Sequence, residues 1–184
     1  MKKVILIDID DTLWDLLTPW IDCLNKAHNL DINVCDCQGW DMEGLFPTLT
    51  KEQIYEPLHG DSFWNGVKPI NGAQEYVKRL LDEGYDIRIC TATSYRGCKG
   101  KIEHFLSLFP FIDPHNIIMC YDKQLINGFI LVDDYVGNLR GGNYHKILFS
   151  AYHNHNEDST GMIRVNNWKE CYEQITKLYE EEQV

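Results

Sequence analysis

The stretch VILIDIDDTL, residues 4–13, governs how the rest of the chain is read. Four apolar residues, Val4 to Ile7, run directly into Asp8, Asp10 and Asp11. A Val/Ile/Leu run with no polar alternation predicts a strand buried on both faces, as in a parallel sheet. Carboxylates at its C-terminal end fall where open α/β sheets bind ligands. Side chains alternate along an extended segment, so Asp8 and Asp10 are expected on the same side. Two like charges held that close raise the free energy unless a cation or a shared proton relieves them. The stretch therefore implies a divalent metal or a carboxyl kept protonated as an acid.

The chain has 184 residues, enough for one domain with an insertion and a sizeable core. Its formal net charge of -11 argues against binding a nucleic-acid polymer or an anionic membrane. A small anionic substrate stays compatible, because local charge decides that. No run has the apolar length of a membrane span. The four apolar residues after the basic start Met1-Lys2-Lys3 are too few for a signal peptide. The seven cysteines are odd in number and scattered, which reads as free thiols in a reducing, cytoplasmic setting. Cys35-Asp36-Cys37 is their one close pair, and it offers too few ligands for a structural zinc site.

Leu13, Leu16, Leu17, Trp20, Ile21 and Leu24 recur at helical spacing, predicting a helix to about Ala27 or His28, with Pro19 marking a kink or a start. Residues 29–41 read as a loop. Thr50-Lys51-Glu52-Gln53 has the form of a capping box. Residues 15–68 thus read as a small helical insertion with no β-pattern of its own. A regular α/β alternation follows. A helix from Ala73 stops at Gly84, and strands are expected at 85–91, 117–120, 129–132, 147–151 and 163–165. Helices are expected at 99–108 and, capped near Asn167, from Trp168 to about Glu181, with a short turn at 124–128. The expected class is α/β: a Rossmann-like, doubly wound parallel sheet formed by residues 1–14 and 69–184, with a helical cap, residues 15–68, inserted after the first strand. The polar ends of three strands would then meet at one edge: Asp8 and Asp10, Thr91, and Asp133-Asp134.

Strand-end aspartates also cap helices, and one D-x-D alone leaves both readings open. The second acidic pair, Asp133-Asp134 after another apolar strand, shifts the reading towards a metal site. Oxygen ligands suit Mg²⁺, which keeps waters for a substrate phosphate. Thr91, followed by Ala92-Thr93-Ser94, offers a hydroxyl and backbone N–H groups to a phosphate oxygen. Lys123 is the only lysine expected near the aspartates, where it could pair with a nucleophilic Asp and a phosphate oxygen. Among the aromatics of the insertion, Trp40 and Trp64 lie in Gly-rich polar stretches, which suits stacking on a base. His153 and His155 read as part of a loop after an edge strand.

These four parts, D-I-D-D-T-L, the strand-terminal Thr91, Lys123 and V-D-D at 132–134, resemble in order and spacing the signature of the haloacid dehalogenase superfamily. Within it the chain is most similar to the 5′(3′)-deoxyribonucleotidase family. That likeness rests on Gly39-Trp40, Phe63-Trp64 ahead of Lys68-Pro69-Ile70-Asn71-Gly72-Ala73, and F-S-A-Y-H-N at 149–154. The resemblance implies a Mg²⁺-dependent phosphomonoesterase acting on a small phosphate ester, a nucleoside monophosphate. Asp8 would be the nucleophile that becomes an aspartyl-phosphate, and Asp10 the acid and then the base. Asp10 would hold the metal through its backbone carbonyl only, leaving its side chain free for the proton. Asp8, Asp133 and Asp134 would complete the metal site. Thr91, Ala92 and Lys123 would bind phosphate, with Ala92 standing where the family's animal members have Ser. Leu16 would face the substrate where an aromatic would enclose the base. The rival readings are a phosphatase of another ester such as a sugar phosphate, a non-catalytic phosphate or nucleotide sensor, and a metal-binding regulatory domain using Cys35, Cys37 and the His residues, for which zinc would be the ion.

Overall fold

A computed structural model describes residues 3–182 of the chain. Met1, Lys2, Gln183 and Val184 lie outside the described residues, and with them most of the basic start read from the sequence. The first strand, β1 (Val4–Ile7), sits inside a sheet in which every pairing is parallel. Its neighbours are β4 (Asp86–Thr91) and β6 (Ile130–Asp133), with β5 (Ile117–Met119) outside β4, and β7 (His145–Phe149) and β8 (Ile163–Val165) outside β6. The order is β5-β4-β1-β6-β7-β8. The chain therefore builds outwards on one side of β1, returns across it, and builds outwards on the other. That reversal lies beside β1, where doubly wound sheets bind their ligands.

The unbroken apolar run of β1 is explained by two covered faces. Ile5 and Ile7 join one core with Ile87, Ile89, Ile130 and Val132. Leu6 points the other way, into a second core with Cys90, Leu131, Leu148, Val136 and Leu139. Each such buried Ile or Leu contributes on the order of 1.5–3 kcal/mol relative to leaving it in water. The first core is covered by α5 (Ala73–Asp82), α6 (Cys98–Leu108) and α8 (Trp168–Glu181), and the second by α7 (Val136–Arg140). The turn read at 124–128 is a 3-10 turn at Lys123–Leu125. Asn167 caps α8 by accepting from the Glu170 N–H, as its sequence suggests.

Some boundaries differ from the sequence reading. The helix expected from Leu13 is α1 (Leu17–His28), because the residues before it are used elsewhere. Trp14–Asp15, β2, pairs antiparallel with Lys68–Pro69, β3. This ribbon brackets the segment read as having no β-pattern, and two residues per strand are too few for alternation to register. Pro19 lies in the first turn of α1, where an N–H has no intrahelical partner to lose. The helix ends on Asn29 in the left-handed region, φ 53°. Strand β7 lies at 145–149 rather than 147–151, and it is not an edge, since β8 lies outside it. The five-residue α7 carries no helical signature, because Gly137 and the pair Gly141-Gly142 give its sequence the look of a loop.

The insertion adds α2 (Met42–Leu45), α3 (Lys51–Tyr55) and α4 (Asp61–Trp64). The capping box at α3 forms as read, with Thr50 and Gln53 satisfying each other's backbone N–H. Helix α4 packs on α6, and glycines at the contact allow the approach. A Cβ on Gly97 would lie 2.1 Å from the Leu58 carbonyl oxygen, and one on Gly100 2.7 Å from Asp61 Oδ1 and 2.8 Å from Trp64 Cδ1. Gly97 has an ordinary φ of -94°, so only packing forbids a larger residue there. Gly97→Ala should therefore destabilise the protein by about 1–3 kcal/mol in chemical denaturation, through overpacking between insertion and sheet domain. An unchanged denaturation midpoint would refute this contact.

Candidate active site

The site is built where β1 ends. Asp8 extends the ladder by one bond, its N–H donating to the Val132 carbonyl at 2.9 Å. The chain then folds over the Ile9 carbonyl, which accepts from Leu13 and Trp14 N–H at 2.8 and 3.2 Å. Asp11 sits inside this turn in the left-handed region, φ 48°, a conformation that a short polar side chain tolerates. The turn sends Asp8 and Asp10 to different partners, although both line one cavity of about 250 Å³ with Ala92, Lys123, Asp133 and Asp134.

Each of the two aspartates has its own lysine. Lys123 Nζ donates to Asp8 Oδ1 at 2.5 Å and to Asp133 Oδ2 at 2.6 Å. Lys101, from α6, donates to Asp10 Oδ2 at 2.5 Å, to Thr91 Oγ1 at 2.9 Å and to the Ala92 carbonyl at 2.9 Å. The other Asp10 oxygen accepts the Trp14 indole N–H at 2.8 Å. Lys123 is therefore not the only lysine at the aspartates, as the sequence reading had it. Nor is the Asp10 side chain free, since donors hold both of its oxygens. The signal for Lys101 was its position: it lies one turn before Phe105 on the buried face of α6, where a charge needs a partner.

The second acidic pair is divided in the same manner. Asp133 accepts from Lys123, from the Tyr135 N–H and from Asn138 Nδ2 at both oxygens. Asp134 accepts from Thr12 Oγ1 at 3.3 Å and from His153 Nε2 at 2.6 Å. His153 is buried in the site rather than part of an open loop, whereas His155 is exposed. Oxygens of Asp8, Asp133 and Asp134 lie within 4.8 Å of one another, a set of hard donors that suits a divalent cation. Among the described residues, no group of three or more such ligands includes Cys35 or Cys37. Burial pushes the Cys37 thiol up to about 11, with Asp11 and Asp41 adding to the effect, so it stays protonated.

Burial dominates the electrostatics. It holds the Asp8 carboxyl well above its ordinary value; Lys123 opposes this, and Asp133, Asp134 and Asp10 reinforce it. Asp133 is raised for the same reason, against the pull of Lys123. For Lys123, burial acts to lower the value, but Asp133 and Asp8 more than offset it and hold the ammonium above its ordinary range. Five carboxyl groups, Asp8, Asp10, Asp11, Asp133 and Asp134, thus face two ammonium groups, Lys101 and Lys123, an acidic excess that a divalent cation would offset.

A second cavity of about 190 Å³ adjoins the first, sharing Asp10, Trp40, Ala92 and Tyr121. Leu16, Trp20, Trp64 and Tyr55 give it an apolar wall. Trp40 is partly exposed over both cavities. Trp64 is buried, stacked on Trp14 with ring centroids 5.6 Å apart, and its indole N–H has no partner among the described residues. Thr91 is fully buried under Lys101. A larger cleft of about 520 Å³, beyond the β2–β3 ribbon, has Asp11 in its wall but none of Asp8, Asp10, Lys123, Asp133 or Asp134.

Solved structures of the same architecture include haloacid dehalogenase-like proteins. One from Deinococcus radiodurans, determined with bound phosphate and sodium, has a TM-score of 0.68 over 96% of both chains at 13% identity. A haloacid dehalogenase-like protein of Agrobacterium tumefaciens has a TM-score of 0.66 over 97% of this chain and 100% of its own, at 15% identity. Along the sequence the likeness is narrower. The chain belongs to the family of 5′ nucleotidase, deoxy (pyrimidine), cytosolic type C proteins, whose pattern matches residues 2–180. The 5′(3′)-deoxyribonucleotidase of Bacillus subtilis (strain 168) is 37% identical over 171 residues, covering 92% of this chain and 96% of the relative. That of Clostridium acetobutylicum is 33% identical over 173 residues, covering 92% and 93%. The chain is accordingly a phosphoric monoester hydrolase.

Asp11 offers a test of the electrostatics. Its Oδ1 accepts from the Leu16 and Leu17 N–H groups at the start of α1, while burial and then Asp134 raise its pKa well above the ordinary 3.8. In the unfolded chain it loses its proton near 4, and in the folded chain only at higher pH. The folded state therefore binds more protons above about pH 4, and stability falls as pH rises until the folded value is passed. Asp11→Asn keeps the accepting oxygen and removes the charge. In metal-free buffer its stability advantage over the wild type should widen from pH 4 towards neutrality in urea denaturation, and an advantage that does not change with pH would refute the assignment.

Proposed function

We propose that the chain is a Mg²⁺-dependent nucleotidase that hydrolyses nucleoside monophosphates, 5′- or 3′-deoxyribonucleotides, through an aspartyl-phosphate on Asp8. The supporting observation is the divided pair: Asp8 and Asp10 face one cavity, each held by a different lysine, beside an apolar cavity lined by tryptophans. Asp8 attacks phosphorus, with Lys123 beside it to balance charge. Asp10 gives its proton to the leaving ester oxygen and later takes one from water. Lys101 and Trp14 orient its carboxyl group for that transfer. Ala92 and Lys123, which line the cavity, supply the phosphate cradle, with Thr91 buried behind them under Lys101, in a reaction that depends mainly on positioning and charge neutralisation.

Asp8, Asp133 and Asp134, with the Asp10 backbone carbonyl, are the residues that would hold Mg²⁺. The ion's charge would favour ionised Asp8 and draw in the phosphate oxygens. Asp133 already accepts hydrogen bonds from Lys123, Tyr135 and Asn138, close to the capacity of a carboxylate, so Asp134 is the more available direct ligand. Residues 15–68 serve as a cap that closes on the bound ester and excludes water. Trp40, Trp64 and Leu16 enclose the nucleoside. All seven cysteines are free thiols, which suits work in the cytoplasm, and among the described residues no helix is long and apolar enough to cross a membrane.

Asp8→Asn should lower turnover by on the order of 10⁴-fold or more and abolish trapping of a phosphoenzyme; unaltered activity would sink the mechanism. On a panel of phosphomonoesters with Mg²⁺, dUMP should be favoured over UMP and over sugar phosphates. Faster turnover of a sugar phosphate would replace the substrate assignment while leaving the chemistry standing. Lys101→Met should reduce kcat for a nucleotide roughly 10²-fold, in the range general acid catalysis supplies. Its effect on p-nitrophenyl phosphate, whose leaving group needs little protonation, should be much smaller. Equal losses on both substrates would separate Lys101 from proton transfer.

A further inference from the structure

His153 lies in a 3-10 turn, Tyr152–Asn154, just beyond the carboxyl end of β7, and none of the roles above uses it. Its surroundings are all defined. The ring Nε2 lies 2.6 Å from Asp134 Oδ2, and because a carboxylate only accepts, the proton belongs on Nε2. The same ring packs edge-to-face against Trp40, with centroids 4.8 Å apart and planes at 70°. Its backbone carbonyl accepts the Gly39 N–H at 2.8 Å. The turn beneath it is fixed by Asn154, whose Nδ2 donates to the carbonyls of Asp134 and Phe149 at 2.7 and 2.8 Å. Arg164 Nη1 in turn donates to Asn154 Oδ1 at 2.9 Å.

We propose that His153 is a positioning residue that orients Asp134 for a divalent cation and also holds Trp40 over the substrate cavity. The inference rests on the reading of this site as a Mg²⁺-dependent phosphomonoesterase. Asp134 is buried among Asp8, Asp11 and Asp133, and its other side-chain donor, Thr12 Oγ1, holds it at the longer distance of 3.3 Å. The imidazole N–H ties one oxygen down and leaves remaining lone pairs for the ion. Groups of this kind, which hold a ligand rather than the metal, are worth 10–100-fold in metal affinity. Through its ring and backbone the same residue anchors the Gly39-Trp40 segment of the insertion, and Trp40 lines both cavities. Cation affinity and substrate affinity are thereby tied to one side chain, by two separable contacts.

Two substitutions separate them. His153→Gln keeps an N–H for Asp134 and removes the ring from Trp40. His153→Phe keeps a ring for Trp40 and removes the N–H. Mg²⁺ binding to the metal-stripped full chain, followed by calorimetry without substrate, should weaken 10–100-fold in His153→Phe and stay within a few-fold of wild type in His153→Gln. KM for dUMP at saturating Mg²⁺ should rise several-fold in His153→Gln, and thermal melting should confirm that both variants are folded. A wild type that binds one Mg²⁺, together with variants that bind it equally well, would overturn the inference alone. His153, Asp11 and Asp134 also lie within 4.8 Å of one another, so a wild type binding two ions, one of them lost in His153→Phe, would make His153 a ligand and overturn the positioning role. A wild type that takes up no Mg²⁺ would overturn the cation reading itself, and this inference with it.

Discussion

A carboxylate buried at the end of a parallel strand is unfavourable unless positive charge stands beside it. This protein buries several at one sheet edge, and the arrangement around them follows from that constraint. Lys123 sits between Asp8 and Asp133, the end residues contributed by neighbouring strands β1 and β6. It is delivered by the segment that leaves β5 on one side of β1 and returns to β6 on the other, so the topological reversal places the cation. Lys101 reaches Asp10 from α6, behind β4. The alternatives raised by the sequence, a metal or a shared proton, are thus joined by a third: one lysine for each aspartate.

What could be read from the sequence was whatever contradicted its surroundings locally. Aspartates directly after a buried apolar run, twice over, had to be explained, and the four-part order from Asp8 to Asp134 explained them together. The covered faces of β1 were legible for the same reason, since Ile5 and Leu6 had no polar alternation between them. Lys101 and His153 were harder because their partners are distant: Lys101 and Asp10 are 91 positions apart, and His153 and Asp134 are 19. A histidine beside asparagine in a turn has no local oddity at all. The ribbon of β2 and β3 was invisible because two-residue strands carry no period, and its pairing joins residues on either side of the whole insertion.

The insertion and the acidic edge of the sheet are less independent than their separate stretches of sequence suggest. Trp14 is the link. It belongs to the ribbon that begins the insertion, donates its indole N–H to Asp10, and stacks its ring on Trp64 of α4. Trp64 read as a candidate base-stacking residue because its sequence neighbours are polar and Gly-rich. It is buried because Gly97 and Gly100 let α6 approach α4 closely enough to cover it. A displacement of α4 would therefore pass through Trp64 and Trp14 to the orientation of the Asp10 carboxylate.

Donor counting sharpens what the site can offer a phosphate. An ammonium has three protons and no acceptor. Lys101 commits all three, to Asp10, Thr91 and the Ala92 carbonyl. Lys123 commits two, to Asp8 and Asp133, and keeps one. A phosphate dianion approaching these aspartates thus meets one uncommitted lysine proton, which is too little to offset the repulsion of the carboxylates. A cation held by those same carboxylates, as proposed above, would supply further attraction. On that proposal the acidic groups that would repel the substrate would also recruit the charge that binds it, while Lys101, with all three protons committed, keeps Asp10 in place and Lys123 keeps one proton for the phosphate.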